Sequence, residues 1–356
     1  MKTRILIVVA AMLLMFSCAE KRTNPLIQNL NDSWTVTTDT LDIKMKVDVP
    51  SIIQADMYEN GLIPHPYKSN IEPQLLWIPQ HEWTYTLDFN AEDYILKEDV
   101  IELVFEGIDT YADVWLNGEH ILYSDNMFRT YSCDVKDLIR KENIIKIKFH
   151  PFDKVRDSLI ETYPLRFPEK YAVMRKAAYQ NGWDWAPRYM NMGIWQPVYL
   201  KAWTRSTISS VSVITKEIHD NEAELFFEAC INADVEHSIT LQLFQDDEKI
   251  LDEKVNLAVG DNYYSIPFRI SDPKLWYPNE LGEQNIYSFN IKMVDNDKEK
   301  IVEERNITMG IRTIEMIEEP DSIGTAFYFK VNGIPLYMKG ANYIPEEMIT
   351  SWMSRE

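Results

Sequence analysis

Two β-sandwiches in tandem, with one further hairpin behind them, are what this sequence predicts. Three observations carry the prediction: short runs in which apolar and polar residues alternate, Asn-Gly pairs set between such runs, and the lack of any long amphipathic helical pattern. The composition agrees, because 12% aromatic residues and only 11 glycines in 356 residues suit strands better than loops or bundles. At that length two or three domains are expected.

The first residues read as an export signal. Lys2 and Arg4 precede an apolar run over residues 5–16, which is too short to span a bilayer as a helix. The run ends in Leu14-Met15-Phe16-Ser17-Cys18, a pattern like a bacterial lipobox in which Cys18 would be acylated and become the mature N-terminus; an ordinary signal peptide with an incidental cysteine is the alternative. The polar stretch 19–26 then serves as a tether. Alternating strands follow at 83–89 (WTYTLDF), 100–105 (VIELVF) and 143–150 (NIIKIKFH), and 114–122 (VWLNGEHIL) folds back at Asn117-Gly118. A second series at 211–214, 223–230, 238–244 and 287–293 is broken by acidic turns such as 245–249 (QDDEK), the spacing of an immunoglobulin-like sandwich. From Phe327 the pattern changes to a single hairpin, FYFKVNGIPLYM, turning at Asn332-Gly333.

A formal net charge of −20 and a pI near 4.8 repel phosphate backbones and argue against nucleic-acid binding. Beyond Cys18 only Cys133 and Cys230 remain, in segments assigned to different domains, so no disulfide is expected. The six histidines are scattered without metal-ligand spacing, and neither metal nor cofactor is called for.

The ordered motifs go further than the strand pattern. Val49-Pro50, residues 61–67 (GLIPHPY), Trp77 and Trp83 open the series. Residues 105–118 (FEGIDTYADVWLNG) and 125–129 (DNMFR) come next, then 175–188 (RKAAYQNGWDWAPR) and 193–198 (GIWQPV). In the second sandwich stand 275–284 (LWYPNELGEQ) and 310–312 (GIR), and behind it 329–335 (FKVNGIP) and 339–345 (KGANYIP). In this order the chain resembles the β-mannosidases of glycoside hydrolase family 2 over nearly all of its mature length. Four departures stand out: Gln54 in place of a usual His, Asn70 one residue further from Trp77, Ala186 for a Gly, and Glu347 for an Asp.

The resemblance implies an all-β architecture: a galactose-binding-like jelly-roll sandwich over 27–203, an immunoglobulin-like sandwich over 204–316, and in 317–356 the first strand of an incomplete (β/α)8 barrel. It also implies that the Trp-Asp-Trp loop reaches an active site, with Trp183 and Asp184 holding the terminal mannose. A carboxylate beside an indole accepts from sugar hydroxyls while the ring covers an apolar sugar face. Trp185 is expected in the core and Arg188 in a structural ion pair. Asn342 is expected at the end of the first barrel strand, as a substrate contact or a turn-capping residue. Family members hydrolyse with retention through two glutamates roughly 5 Å apart, both on barrel strands, and Asn221-Glu222 and Asn279-Glu280 fall instead in the immunoglobulin-like region. The chain is therefore expected to be inactive alone, with residues 327–356 poorly buried and a separate barrel fragment as a possible partner. The expected substrates are β-mannoside oligosaccharides or glycoprotein glycans, and the expected location is the periplasm or outer membrane, through a lipid anchor on Cys18. A stand-alone carbohydrate-binding or adhesion protein of two sandwiches is the alternative, and the extra segment after residue 327 speaks against it.

The lipobox is directly testable. Expressed in a bacterium with a fatty-acid probe, the full chain should be labelled and the Cys18→Ala chain should not; equal labelling of the two would remove the anchor.

Overall fold

A computed structural model describes residues 25–38, 40–163, 169–219 and 221–353; Cys18 lies outside them. The described residues form two units, 27–202 together with 341–353, and 203–340.

In the first unit the alternation of the sequence becomes two antiparallel layers. Its strands are β1 (Leu26–Asn29), β2 (Trp34–Thr37), β3 (Lys44–Val47), β4 (Trp83–Asn90), β5 (Val100–Phe105), β6 (Ala112–Leu116), β7 (Glu119–Ser124), β8 (Tyr131–Asp134), β9 (Glu142–Phe149) and β10 (Val198–Trp203). They are ordered β3-β2-β4-β9-β6-β7 in one sheet and β1-β10-β5-β8 in the other. Side chains on a strand alternate between faces, so Tyr85 and Leu87, Ile145 and Ile147, and Val114 and Leu116 all point inward and are buried, as are Ile101, Leu103 and Leu200 of the smaller sheet. Asn117 and Gly118 both take positive φ (54° and 91°), the backbone that a two-residue hairpin turn needs. Helices are few: α1 (Ile53–Glu59) and α2 (Phe152–Thr162) are the two longest.

The second unit carries a seven-stranded immunoglobulin-like sandwich. Its strands are β11 (Ser206–His219), β12 (Glu222–Ala233), β13 (His237–Gln245), β14 (Glu248–Leu257), β15 (Gly260–Ser271), β16 (Tyr287–Asp295) and β17 (Lys300–Met309). The sheets run β11-β12-β15 and β14-β13-β16-β17, around a core that includes Leu225, Phe227, Leu241, Leu243, Phe289 and Ile291. The motif residues here are packing devices. A Cβ on Gly310 would come within 2.5 Å of Trp276, so only glycine lets the indole lie there. Arg312 stacks over the same ring at 4.8 Å, and Asn332 donates to the Trp276 carbonyl at 3.0 Å. Three further strands, β18 (Ile314–Pro320), β19 (Thr325–Val331) and β20 (Ile334–Leu336), form a small sheet of their own. Cys133 and Cys230 are both free thiols.

The expectation for residues 327–356 holds in one half and fails in the other. Phe327 in β19 and Tyr337 remain exposed, at 62% and 83%. The last described turn does not. Ile349 is fully buried against Ile52 and Ala55 of the first sandwich. Asn191 donates to the Met348 carbonyl at 2.8 Å, and the Tyr67 hydroxyl is bonded to Glu347. Trp352 completes an aromatic group with Tyr58, His65 and Tyr67, at ring separations of 5.8, 5.5 and 6.2 Å. The sequence shows an apolar segment with no obvious cover; the cover comes from residues some 280 positions earlier.

Candidate functional site

The site begins with a lysine in an unusual place. Lys176 and Asp109 have side chains wholly withdrawn from water, and both carboxylate oxygens lie 3.0 Å from the ammonium. The remaining donors of Lys176 go to the Gln180 side chain and, at 3.2 Å, to the Asn191 carbonyl. Its charge also faces the ring of Phe152 in α2 at 4.9 Å. Burial pushes the Lys176 ammonium below its usual range and Asp109 pulls it back up.

This pair ties three separate segments together. Asp109 exchanges two backbone hydrogen bonds of 2.9 Å with Gly193, whose missing side chain lets it pass against the Ser51 carbonyl and Ile52. Gly107, two residues before the aspartate, leaves the space that the Trp195 indole fills, and that indole donates to the Met127 carbonyl at 3.2 Å. Met127 in turn donates its backbone N–H to the Arg175 carbonyl at 3.1 Å, and Arg175 pairs with Asp125 at 2.8 Å. The 105–118, 125–129, 175–188 and 193–198 motifs are thus one connected base.

On that base stands the Trp-Asp-Trp turn. Trp183 and Ala186 exchange reciprocal backbone hydrogen bonds of 3.1 Å, leaving Asp184 and Trp185 at the tip of a tight loop. Gly182 enters it at φ 92°, a left-handed backbone that strains any residue with a Cβ. Ala186 does not need positive φ, so the change from glycine is harmless here. Trp183 is 60% exposed and Asp184 is exposed beside it, the geometry a sugar-stacking indole and its neighbouring acceptor require.

Three expectations need correction. Trp185 is not in the core: it is 37% exposed and leans on Tyr179 at 5.7 Å, because a turn of two residues puts both of its tip side chains outward. Arg188 finds an aromatic partner instead of a carboxylate, stacking over Tyr171 at 5.0 Å and donating to its hydroxyl. Asn342 is exposed in irregular chain, with no strand around it to aim its side chain. Sequence reading also missed Lys176 and Asp109, since a lysine in a basic-polar run gives no sign of burial. Gln54, one of the departures, is buried and donates to the Met190 carbonyl at 2.9 Å, bracing the same loop from α1.

With this geometry in place, comparison with known proteins defines the class. Residues 34–196 match the galactose-binding domain-like model of glycosyl hydrolase 2, and residues 206–312 match glycosyl hydrolases family 2. The chain belongs to glycoside hydrolase family 2. Among its relatives are β-mannosidase B of Aspergillus clavatus, 29% identical over 84% of this chain and 36% of that protein, and the β-mannosidase of Bos taurus, 27% identical over 92% and 40%. The crystal structure of the β-D-mannosidase from Dictyoglomus thermophilum superposes with a TM-score of 0.85 at 31% identity, over 92% of this chain and 41% of that one. The chain thus spans about two fifths of the length of these relatives or less.

The buried pair should dominate the stability of this unit. Removing one partner strands the other charge, which costs about 3–5 kcal/mol, whereas replacing both with apolar groups costs far less. In urea unfolding, Lys176→Met should destabilise the first unit by about that amount, and Lys176→Met combined with Asp109→Leu should recover part of the loss. A single variant as stable as the wild type would deny the pair its role.

Proposed function

We propose that this chain supplies the sugar-recognition part of a β-mannosidase-type glycoside hydrolase acting on terminal β-mannosides. The carrying observation is the exposed Trp183-Asp184 pair on a loop braced from below by the buried Lys176–Asp109 pair: the indole offers a stacking face and the carboxylate an acceptor for sugar hydroxyls. The names of its relatives favour mannosides as the substrate class. Hydrolysis itself needs an acid/base and a nucleophilic carboxylate about 5 Å apart, which a (β/α)8 barrel would bring, on the same polypeptide or as a partner fragment. Binding contacts without those two groups lower the barrier little. Export with a lipid anchor on Cys18 would place the protein at the periplasmic or outer-membrane surface, where glycan fragments are met.

The test joins this chain in frame to the barrel of a close β-mannosidase and follows a chromogenic β-mannoside. The fusion should turn over, and Asp184→Ala should lower kcat/KM by roughly 30–1000-fold, the equivalent of losing about 2–4 kcal/mol of a charge-assisted contact in the transition state. An Asp184→Ala fusion as active as its parent would reduce the loop to scaffold.

A further inference from the structure

A cleft opens on the outward face of the six-stranded sheet, and none of its lining residues belongs to the 175–193 loop. Its volume is about 920 Å³, and Asp88, Trp115, Arg140, Glu142, Ile144 and Lys146 contribute to its walls. That volume falls within the roughly 300–1,000 Å³ of small-molecule sites. The strand register explains why these side chains meet. Asp88 of β4 lies opposite Ile144 of β9, and Lys146 of β9 lies between Thr86 of β4 and Trp115 of β6. Since Ile145 and Ile147 point into the core, Ile144 and Lys146 must point out.

Trp115 is held in place. The β6–β7 pairing carries a bulge between Val114 and Trp115, a device that re-aims a side chain. His120 meets the indole edge-on at 5.4 Å and 70°, and is itself fixed to Asp113 at 2.6 Å, which also takes His150 at 2.7 Å. A ring fixed beforehand loses little freedom when something stacks on it.

The polar groups around it are uncommitted. Among the described residues no ion pair or side-chain hydrogen bond engages the charged ends of Asp88, Arg140, Glu142 or Lys146. Two carboxylates and two cations leave the cleft without net charge, so an anionic ligand would meet Asp88 and Glu142 and a cationic one Arg140 and Lys146. A neutral, polyhydroxylated ring suits both sets, because each hydroxyl can donate to a carboxylate and accept from a cation. The indole and Ile144, half exposed at 50%, supply the apolar surface that the C–H face of a pyranose covers. We propose that this face is a second glycan-binding site, which takes a neutral pyranose of an oligosaccharide chain by stacking on Trp115. The site would hold a polymeric substrate or glycan independently of the Trp183-Asp184 loop, and it does not rest on that loop's function.

The experiment uses the full chain with 15N-labelled tryptophan and β-1,4-mannotriose as the probe, with cellotriose in parallel. Of the 10 tryptophan indole signals, that of Trp115, assigned through Trp115→Phe, should shift on titration with at least one trisaccharide, with a dissociation constant of about 1 mM. Combining Arg140→Ala and Lys146→Ala, both at the surface, should raise that constant by about tenfold. A Trp115 signal that both sugars leave unmoved, or shifts confined to Trp183 and Trp185, would overturn the proposal. An unchanged constant in the Arg140/Lys146 double variant would do the same, and that variant decides alone if Trp115→Phe does not fold.

Discussion

A lysine and an aspartate withdrawn from water are the constraint on which the first unit depends. Burying either charge alone would be prohibitive, so the pair can exist only where every donor and acceptor is met. Asp109 faces Lys176 with both oxygens, and Gln180 and the Asn191 carbonyl take the other donors. Each of these groups is therefore fixed by its neighbours. Among the described residues, the loop between α2 and β10 has no helix or strand longer than four residues to stiffen it, and this polar knot takes their place. What it presents to solvent is the pair Trp183 and Asp184.

The glycines of the motifs serve the same end. Gly107 makes room for Trp195, Gly193 lets two backbones meet beside Asp109, and Gly310 does in the second unit what Gly107 does in the first, bringing an indole against the main chain. The runs that mark the chain as a family 2 member are mostly contact points of this kind. Their spacing largely reflects packing.

Much of the fold was legible because strands with one dry face announce themselves. The alternation in 83–89, 100–105 and 143–150 foretold β4, β5 and β9 within a residue, and both Asn-Gly turns fell where expected. Strand β14 escaped because Lys, Glu and Asp make up half of its residues, and its few inward residues do not make a pattern. The site was legible only through its family motif. Nothing local in Arg175-Lys176-Ala177 says that the lysine is buried and the arginine is not; that is decided by Asp109, 67 positions away. Trp185 was misplaced for the opposite reason: tryptophan is usually packed, and the two-residue turn overrides that tendency. The burial of Ile349 likewise depends on Ile52 and Ala55, a pairing that no periodicity encodes.

If the buried pair is what holds the loop, its loss should loosen the loop before the sheets. Amide hydrogen exchange can follow Trp183 and Ala186, whose reciprocal hydrogen bonds close the turn, beside Tyr85 and Ile147 in the paired strands β4 and β9. In Lys176→Met the two turn amides should exchange about tenfold faster or more while the strand amides stay protected, the signature of local opening. Turn amides that keep their wild-type rates in a folded Lys176→Met protein would contradict the central role given to the pair.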